Sequence, residues 1–233
     1  DAVDAPFTYN NKRYTLVDTA GLGKKAKRED GIEILSAFKS QDAIERAQVL
    51  FLVVDGTEGP TDQDAKILEK ILELHKGVIL LANKSDLADR PEYRKWFRER
   101  VAGIFHFFED IPIVFTSAVT KQGFDAMMKE LERVNECLNI RIGTGELNEF
   151  FFEVIRKAPA PVYGTKNVKF YYLTQTHQVP PSFIAFANHP DGVDNAYRRF
   201  LAKQIKERWN LDGIPIRIFA MKSRSGTNNK GRD

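Results

Sequence analysis

Cysteine and long apolar segments are the scarcest features of this 233-residue sequence. Its one cysteine, Cys137, excludes an intramolecular disulfide framework and any metal site built from several cysteines. A lone cysteine also fits a reducing compartment, so the sequence favours a cytoplasmic location. The longest apolar runs, Val49–Val54 and Val78–Ala82, fall far short of the roughly 18 residues of a membrane span. The first residues do not resemble a signal peptide, so we expect no association with a membrane.

Proline and glycine are also few, with 10 and 15 residues, which excludes a collagen-like or low-complexity chain. Charge is distributed unevenly: residues 1–142 hold 21 Lys/Arg and 24 Asp/Glu, whereas residues 143–233 hold 14 and 8. A basic second part suggests contact with an anionic partner such as nucleic acid. Surface charge that only serves solubility is the alternative.

Strand and helix patterns alternate along the first 140 residues. Helical patterns separate the apolar runs, and continuous runs of this kind are typical of strands buried on both faces. Such alternation predicts βαβ units and a mostly parallel sheet, in which ligands bind at the carboxyl ends of the strands. The predicted strands are Tyr14–Val17, Val49–Val54, Val78–Ala82 and Ile113–Thr116, and the predicted helices are Thr61–His75, Pro91–Phe108 and a third that begins near Phe124.

The pattern changes near residue 142. The remaining segments predict an α+β module in the order α-β-β-α-β: Glu146–Ala158, Lys166–Thr176, Ser182–Asn188, Tyr197–Trp209 and Ile214–Met221. We therefore expect one domain over 1–142, a second over 143–221, and a disordered basic tail over 222–233.

The first strand end carries Asp18-Thr19-Ala20-Gly21. A carboxylate at this place can hold Mg²⁺ through a water molecule. The glycine allows a backbone N–H to approach a phosphate, because no side chain blocks it. Alone, this pattern is weak evidence for a phosphate site.

Two further strand ends carry Asn83-Lys84-Ser85-Asp86 and Thr116-Ser117-Ala118. The carboxylate of Asp86 can accept hydrogen bonds from the guanine N1–H and exocyclic amine, which adenine cannot offer. Asn83 can bind the base or tie neighbouring loops, and the Lys84 stem can lie along the purine. The backbone N–H of Ala118 can donate to guanine O6. The alternative is that this tetrapeptide is only a polar turn.

The order and spacing of these three segments resemble the G3, G4 and G5 elements of P-loop GTPases of the translation-factor class. Longer stretches, such as IERAQVLFLVVDGTEGPTDQD and YRRFLAKQIKERWNLDGIPIRIFAMKSR, resemble the Der (EngA) family of bacterial tandem GTPases. The resemblance covers essentially the whole chain. It implies an α/β fold with a P-loop GTPase-like, mostly parallel sheet whose first strand and P-loop are missing, followed by an α+β KH-like domain.

The resemblance implies GTP and GDP binding and GTP hydrolysis in assembly of the large (50S) ribosomal subunit. Its implied partners are that subunit, its rRNA, and the protein's own first GTPase domain. It gives catalytic roles to Asp18, Gly21 and Leu22, with Mg²⁺ linked to Asp18. Leu22 stands where some GTPases have a glutamine, which implies K⁺ as a substitute. The implied nucleotide contacts are Asp18, Thr19, Ala20, Gly21, Leu22, Asn83, Lys84, Ser85, Asp86, Ser117 and Ala118.

Two departures limit these expectations. No G-x-x-x-x-G-K-S/T string occurs in the 233 residues, so we expect the phosphate-binding loop to lie upstream of Asp1 and this fragment to bind GTP poorly and hydrolyse it negligibly. The KH-like part lacks a G-x-x-G loop, which leaves phosphate contact by a basic helix with Arg198, Arg199, Lys203 and Lys206. A nucleotide-dead scaffold that binds rRNA or protein is the alternative function.

Overall fold

The computed structural model describes residues 4–17, 44–88, 91–160 and 162–223. The chain divides into two compact units, Asp1–Asn135 and Glu136–Asp233. The candidate site residues Asp18, Thr19, Ala20, Gly21 and Leu22 lie outside the described residues, as does most of the predicted tail.

A parallel sheet of three strands forms the centre of the first unit, with β3 (Val49–Asp55), β4 (Gly77–Asn83) and β5 (Ile113–Phe115) in the order β3-β4-β5. All three were predicted from their apolar runs. β4 lies between the other two and is buried from Gly77 to Ala82. The expectation of two buried faces is wrong for β3, where Val53 is 55% exposed. Along β3, Leu50, Leu52 and Val54 are buried and alternate with more exposed neighbours, so these three side chains form its core face.

The described helices that accompany this sheet include α1 (Asp62–Glu73), α2 (Tyr93–Ile104) and α3 (Phe124–Leu138). Helix α1 begins with the predicted capping box, because Thr61 and Asp64 each accept a backbone N–H of the other. Helix α2 is shorter at both ends than the predicted Pro91–Phe108. It ends where Phe105 closes the last turn by donating its N–H to Val101, and Phe105 then packs into the core with no exposed surface.

An antiparallel hairpin, β1 (Asp4–Tyr9) and β2 (Lys12–Val17), completes the described part of this unit. The sequence predicted only the second strand. Asn10 and Asn11 form the two-residue turn with φ values of 47° and 61°. Asparagine tolerates this left-handed backbone better than most residues, so the Asn-Asn pair was the signal for the hairpin.

The second unit begins with α4 (Thr144–Lys157), continues through β8 (Phe170–Gln175), β9 (Ser182–Ala187) and α5 (Asn195–Trp209), and ends with β10 (Arg217–Lys222). Its sheet has the order β10-β9-β8, with β9 parallel to β10 and antiparallel to β8. This order confirms the predicted α-β-β-α-β pattern. The core contains side chains from both layers: Leu147, Phe151, Leu173, Phe183, Leu201, Ile205 and Ile218.

Two strand boundaries in this unit differ from prediction. The predicted strand Lys166–Thr176 divides, because a small hairpin of β6 (Val162–Tyr163) and β7 (Lys166–Asn167) precedes β8. The Asn188 side chain accepts the Lys169 N–H and donates to the Asn167 carbonyl, which satisfies the backbone at the break. β10 begins at Arg217 rather than Ile214, since Pro215 has no N–H to give to a strand ladder.

Candidate nucleotide site

The loops that follow β4 and β5 are joined by backbone hydrogen bonds. Thr116 donates its N–H to the Ala82 carbonyl at 2.9 Å, and Ser85 donates to the Thr116 carbonyl at 3.0 Å. Parallel strands end at the same edge of their sheet, so the Asn83–Asp86 loop and the loop of Ser117 and Ala118 lie side by side. The structure thus brings together all the candidate site residues that it describes.

Asn83 connects three strand ends. Its side-chain oxygen accepts the backbone N–H of Ala118 at 3.0 Å, and its carbonyl accepts the N–H of Gly56 at 2.6 Å. This is the loop-tying role that the sequence allowed for Asn83. The Ala118 N–H that was expected to reach guanine O6 is donated to Asn83 in this structure, so contact with the base requires that N–H to be shared or redirected.

Asp86 lies in a single 3-10 turn, Ser85–Leu87, directly after β4, and its side chain is exposed. Within the described part of the chain, no hydrogen bond or ion pair engages its carboxylate. Both oxygens are therefore available to a ligand with two adjacent N–H groups. The neighbouring Ser85 hydroxyl is buried and has no partner among the described residues.

Lys84 precedes this turn with a left-handed backbone, φ 62°. Its Nζ lies 2.6 Å from an oxygen of Asp55 at the end of β3. The hydrogen bond from Lys84 is the main cause that lowers the pKa of Asp55, and the same bond raises the pKa of Lys84. Both groups are therefore charged at neutral pH, and the Lys84 side chain is directed toward the end of β3.

Ser117 has a local role. It is buried, its hydroxyl accepts the N–H of Thr120 at 3.1 Å, and its own N–H is donated to the Gln122 carbonyl. The loop then passes Gly123, where φ is 81° and an added Cβ would lie 2.2 Å from the Phe115 carbonyl oxygen. Only glycine fits this approach, so Gly123 and Ser117 fix the loop that presents Ala118.

The turn Asp55-Gly56-Thr57 belongs to this site, although no role was predicted for these residues. Thr57 donates both its N–H and its hydroxyl to one oxygen of Asp55, at 2.9 and 2.7 Å. At Gly56 an added Cβ would lie 2.6 Å from the Asn83 carbonyl oxygen and 2.5 Å from the hydroxyl of the buried Tyr93. The available signal in the sequence was a polar Asp-Gly-Thr turn directly after an apolar run.

The described residues were compared with the requirements of a metal site and of a membrane-spanning helix. In residues 4–17, 44–88, 91–160 and 162–223, no group of three or more His, Cys, Asp or Glu is placed to hold a metal ion. No helix formed by those residues is long and apolar enough to cross a bilayer. The predicted Mg²⁺ residue, Asp18, lies outside them.

The cationic helix predicted for RNA contact is α5. Its apolar face buries Tyr197, Leu201 and Ile205, whereas Arg199 and Lys203 are exposed. Among the aromatic side chains of this unit, Phe183 is fully buried and belongs to the core, whereas Tyr171 and Tyr172 are each 41% exposed.

Comparisons with known proteins agree with this architecture. Residues 1–84 match a family described as 50S ribosome-binding GTPase. Residues 141–220 match the KH-domain-like C-terminal region of EngA bacterial GTPase enzymes. A GTPase-type parallel sheet followed by a KH-like module defines the class of protein.

Individual curated proteins that resemble the chain along most of its length identify a more specific family within this class. The chain is 38% identical over 219 residues to the GTPase Der of Syntrophotalea carbinolica, and 38% identical over 227 residues to that of Caldanaerobacter subterraneus. The matches cover 94% and 95% of this chain but 50% and 51% of those relatives. The chain is similar to the Der (EngA) family along most of its length, which confirms the resemblance, and it spans about half the length of the curated relatives it matches.

A solved structure shares the fold. Era in complex with MgGDPNP and a segment of 16S ribosomal RNA matches with a TM-score of 0.50 at 18% identity, over 95% of this chain and 80% of that chain. At this identity the match supports the fold class alone.

Proposed function

We propose that the first unit recognises the base of guanine nucleotides, and that the protein is a GTP-hydrolysing factor in assembly of the large ribosomal subunit. The observation that carries the base site is the exposed Asp86 carboxylate, held in a loop that is hydrogen-bonded to the loop of Ala118. Similarity to relatives that are named GTPase Der supports the hydrolysis.

Chemical complementarity explains the choice of base. Two carboxylate oxygens accept from the guanine N1–H and exocyclic amine, whereas adenine presents an acceptor at N1 and no amine beside it. A site built on such bonds rejects the wrong base, because a bound adenine would cover the carboxylate and leave it without an N–H partner. The Ser85 hydroxyl, buried and unpartnered among the described residues, adds a donor at the same loop.

The phosphate half of the site remains a prediction. The residues that would face the phosphates are Asp18, Thr19, Ala20, Gly21 and Leu22, with Mg²⁺ held at Asp18. Leu22 cannot orient the attacking water as a glutamine does, and K⁺ would take that role. When bound, these ions would neutralise charge that develops on the transferred phosphoryl group. Because the 233 residues contain no G-x-x-x-x-G-K-S/T string, we expect negligible GTP hydrolysis from this chain alone.

The second unit is proposed to contact rRNA of the large subunit and to pack against the protein's first GTPase domain, in the cytoplasm. Charge supports the RNA contact: residues 143–233 hold 14 Lys/Arg against 8 Asp/Glu, and Arg199 and Lys203 are exposed on α5. Cations on a helix surface bind phosphates without reading sequence. The alternative function is a scaffold that uses the same fold without a nucleotide.

The substitution Asp86→Asn separates the two functions. Asparagine presents one acceptor and one donor, which suits xanthine better than guanine. We therefore expect the wild-type chain to prefer GDP over XDP and ADP, and the variant to prefer XDP, by about tenfold or more in each direction. NMR titration of the 233-residue chain at millimolar nucleotide measures both preferences despite weak binding.

The control is Asp191→Asn, the same change of charge at an exposed position of the second unit. It should leave the GDP preference unchanged. Equal, nonspecific shifts with GDP, XDP and ADP in the wild type would contradict the base site and support the scaffold.

A further inference from the structure

We propose that Asp55 is a positioning residue for guanine recognition: it fixes the Lys84 side chain and, through the turn it begins, the loop that carries Asp86. This inference rests on the proposed guanine site. It assigns a function to the end of β3, a segment outside the Asn83–Asp86 and Thr116–Ala118 motifs.

The geometry provides two independent links between the turn and the loop. One is ionic, between Lys84 Nζ and Asp55 Oδ2 at 2.6 Å. The other is a backbone bond, from the Gly56 N–H to the Asn83 carbonyl at 2.6 Å. Asp55 and Asn83 are register partners in the parallel pair β3–β4, so the loops that follow these two strands leave the sheet at the same level.

Contacts other than the lysine also hold the Asp55 side chain. One of its oxygens accepts two hydrogen bonds from Thr57, which leaves the other oxygen directed at Lys84. A lysine side chain has four rotatable bonds and loses considerable entropy when it is fixed. The bonds from Thr57 therefore orient the Asp55 carboxylate independently of its ion pair with Lys84.

The backbone at Lys84 makes this anchor necessary. A non-glycine residue with φ near 62° occupies a sparsely populated region, and such conformations persist when the surroundings fix them. The ion pair holds the Lys84 side chain, and the Gly56 bond holds the carbonyl of Asn83, the residue directly before it. Asp86 follows two residues later, so an unfixed Lys84 would spread the positions of its carboxylate.

Loss of this anchor should cost affinity by reducing the population of the binding-competent loop. The pair is partly exposed, with 55% of the Lys84 side chain and 27% of the Asp55 side chain accessible. Such pairs contribute modestly, so we expect Asp55→Asn to weaken GDP binding about threefold to fivefold. Preference for GDP over ADP should fall in parallel, because a less ordered Asp86 discriminates less well.

The test begins with a measurement that needs no nucleotide. The Asp55 carboxyl should titrate below its usual range in ¹³C NMR, and Lys84→Met should return its pKa toward the ordinary value, because Lys84 is the main cause of the shift. Titration of Asp55 that is identical in the wild type and in Lys84→Met would overturn the inference.

GDP and ADP titrations of Asp55→Asn and Thr57→Val follow, on the full 233-residue chain. Thr57→Val removes the hydroxyl bond to Asp55 and keeps the charge, so it should weaken GDP binding less than Asp55→Asn. The matched control is Glu58→Gln, which removes a negative charge of the same turn that acts on Lys84 through space and less than Asp55 does, and its binding should stay close to that of the wild type.

Three outcomes separate this inference from the function on which it rests. Weaker and less selective binding by Asp55→Asn, with Glu58→Gln unchanged, supports it. Binding by Asp55→Asn equal to that of the wild type overturns it and leaves the guanine site standing. A wild-type chain that does not distinguish GDP from ADP overturns both.

Discussion

The two units hold their candidate binding residues in different ways. In the first unit, residues at three strand ends are connected through backbone atoms, as Asn83 is with Gly56 and Ala118. In the second, Arg199 and Lys203 stand on the outer surface of α5, whose opposite face is buried. Fixed donors and acceptors can read the edge of one base, whereas exposed cations attract phosphates of any sequence. The proposed guanine site would thus depend on geometry, and the proposed RNA contact on charge.

Breaking the loop geometry of the first unit should have the largest effect. Gly123→Ala places a Cβ 2.2 Å from the Phe115 carbonyl oxygen at a backbone φ of 81°. We expect the free energy of unfolding to fall by about 3 kcal/mol or more, and the Ala118 loop to shift. Urea unfolding followed by circular dichroism measures the loss.

Gly145→Ala is the matched control, because no atom lies within 4 Å of the position that its Cβ would take in α4. This change should leave stability unchanged or raise it by about 0.5–1 kcal/mol. Equal losses in the two variants would show that the first-unit loop is no more constrained than the start of a helix.

Alkaline pH should weaken the second unit through Tyr197. Burial raises the pKa of Tyr197 to about 12, and its hydroxyl donates to the Ala158 carbonyl at 2.7 Å. Because the folded-state pKa lies above the unfolded value of about 10, the stabilisation is complete below pH 10 and is lost as pH rises toward 12. The loss should be about 2 kcal/mol, measured as the urea midpoint between pH 9 and 12.

Tyr197→Phe has no ionisable group there and should remove most of this pH dependence, at the cost of the hydrogen bond to Ala158. A variant that kept the full alkaline loss would place its cause elsewhere in the chain.

The smallest effect concerns the cations of α5. The double substitution Arg199→Ala and Lys203→Ala should reduce the dependence of log affinity on log salt by about 1.4–1.8 if both side chains contact phosphates of large-subunit rRNA. Fluorescence anisotropy at several salt concentrations measures the slope. The control, Lys66→Ala with Lys129→Ala, removes two exposed cations from the first unit and should leave this slope unaltered. An equal change in slope would mean that the net charge of the protein, and not the position of the cations, determines the salt dependence.

Local patterns predicted much of this fold. The apolar runs identified β3, β4 and β5, and the cap residues Thr61 and Asp64 identified the start of α1. The adjacency of the Asn83–Asp86 and Thr116–Ala118 loops followed from the rule that parallel strands end at one edge. These features depend on residues close in the chain or on a general property of parallel sheets.

Other features depend on pairings that a single sequence does not reveal. The Asp55–Lys84 pair requires the register of β3 on β4, and the exposure of Val53 depends on what packs against that face of the sheet. β1 was missed because Asp4–Tyr9 contains a proline and little apolar alternation, so only its turn residues marked the hairpin. Long-range pairing, rather than local propensity, determined each of these outcomes.

Asn83 has a consequence for how mutations at this edge will combine. Its carbonyl and its side-chain oxygen are each committed to a different neighbouring segment, so a displacement of either neighbour is felt by the other through one residue. Substitutions at Gly56 and Ala118 should therefore be non-additive, although the two residues belong to separate loops. Evolution or engineering of this site would have to change its three segments in concert.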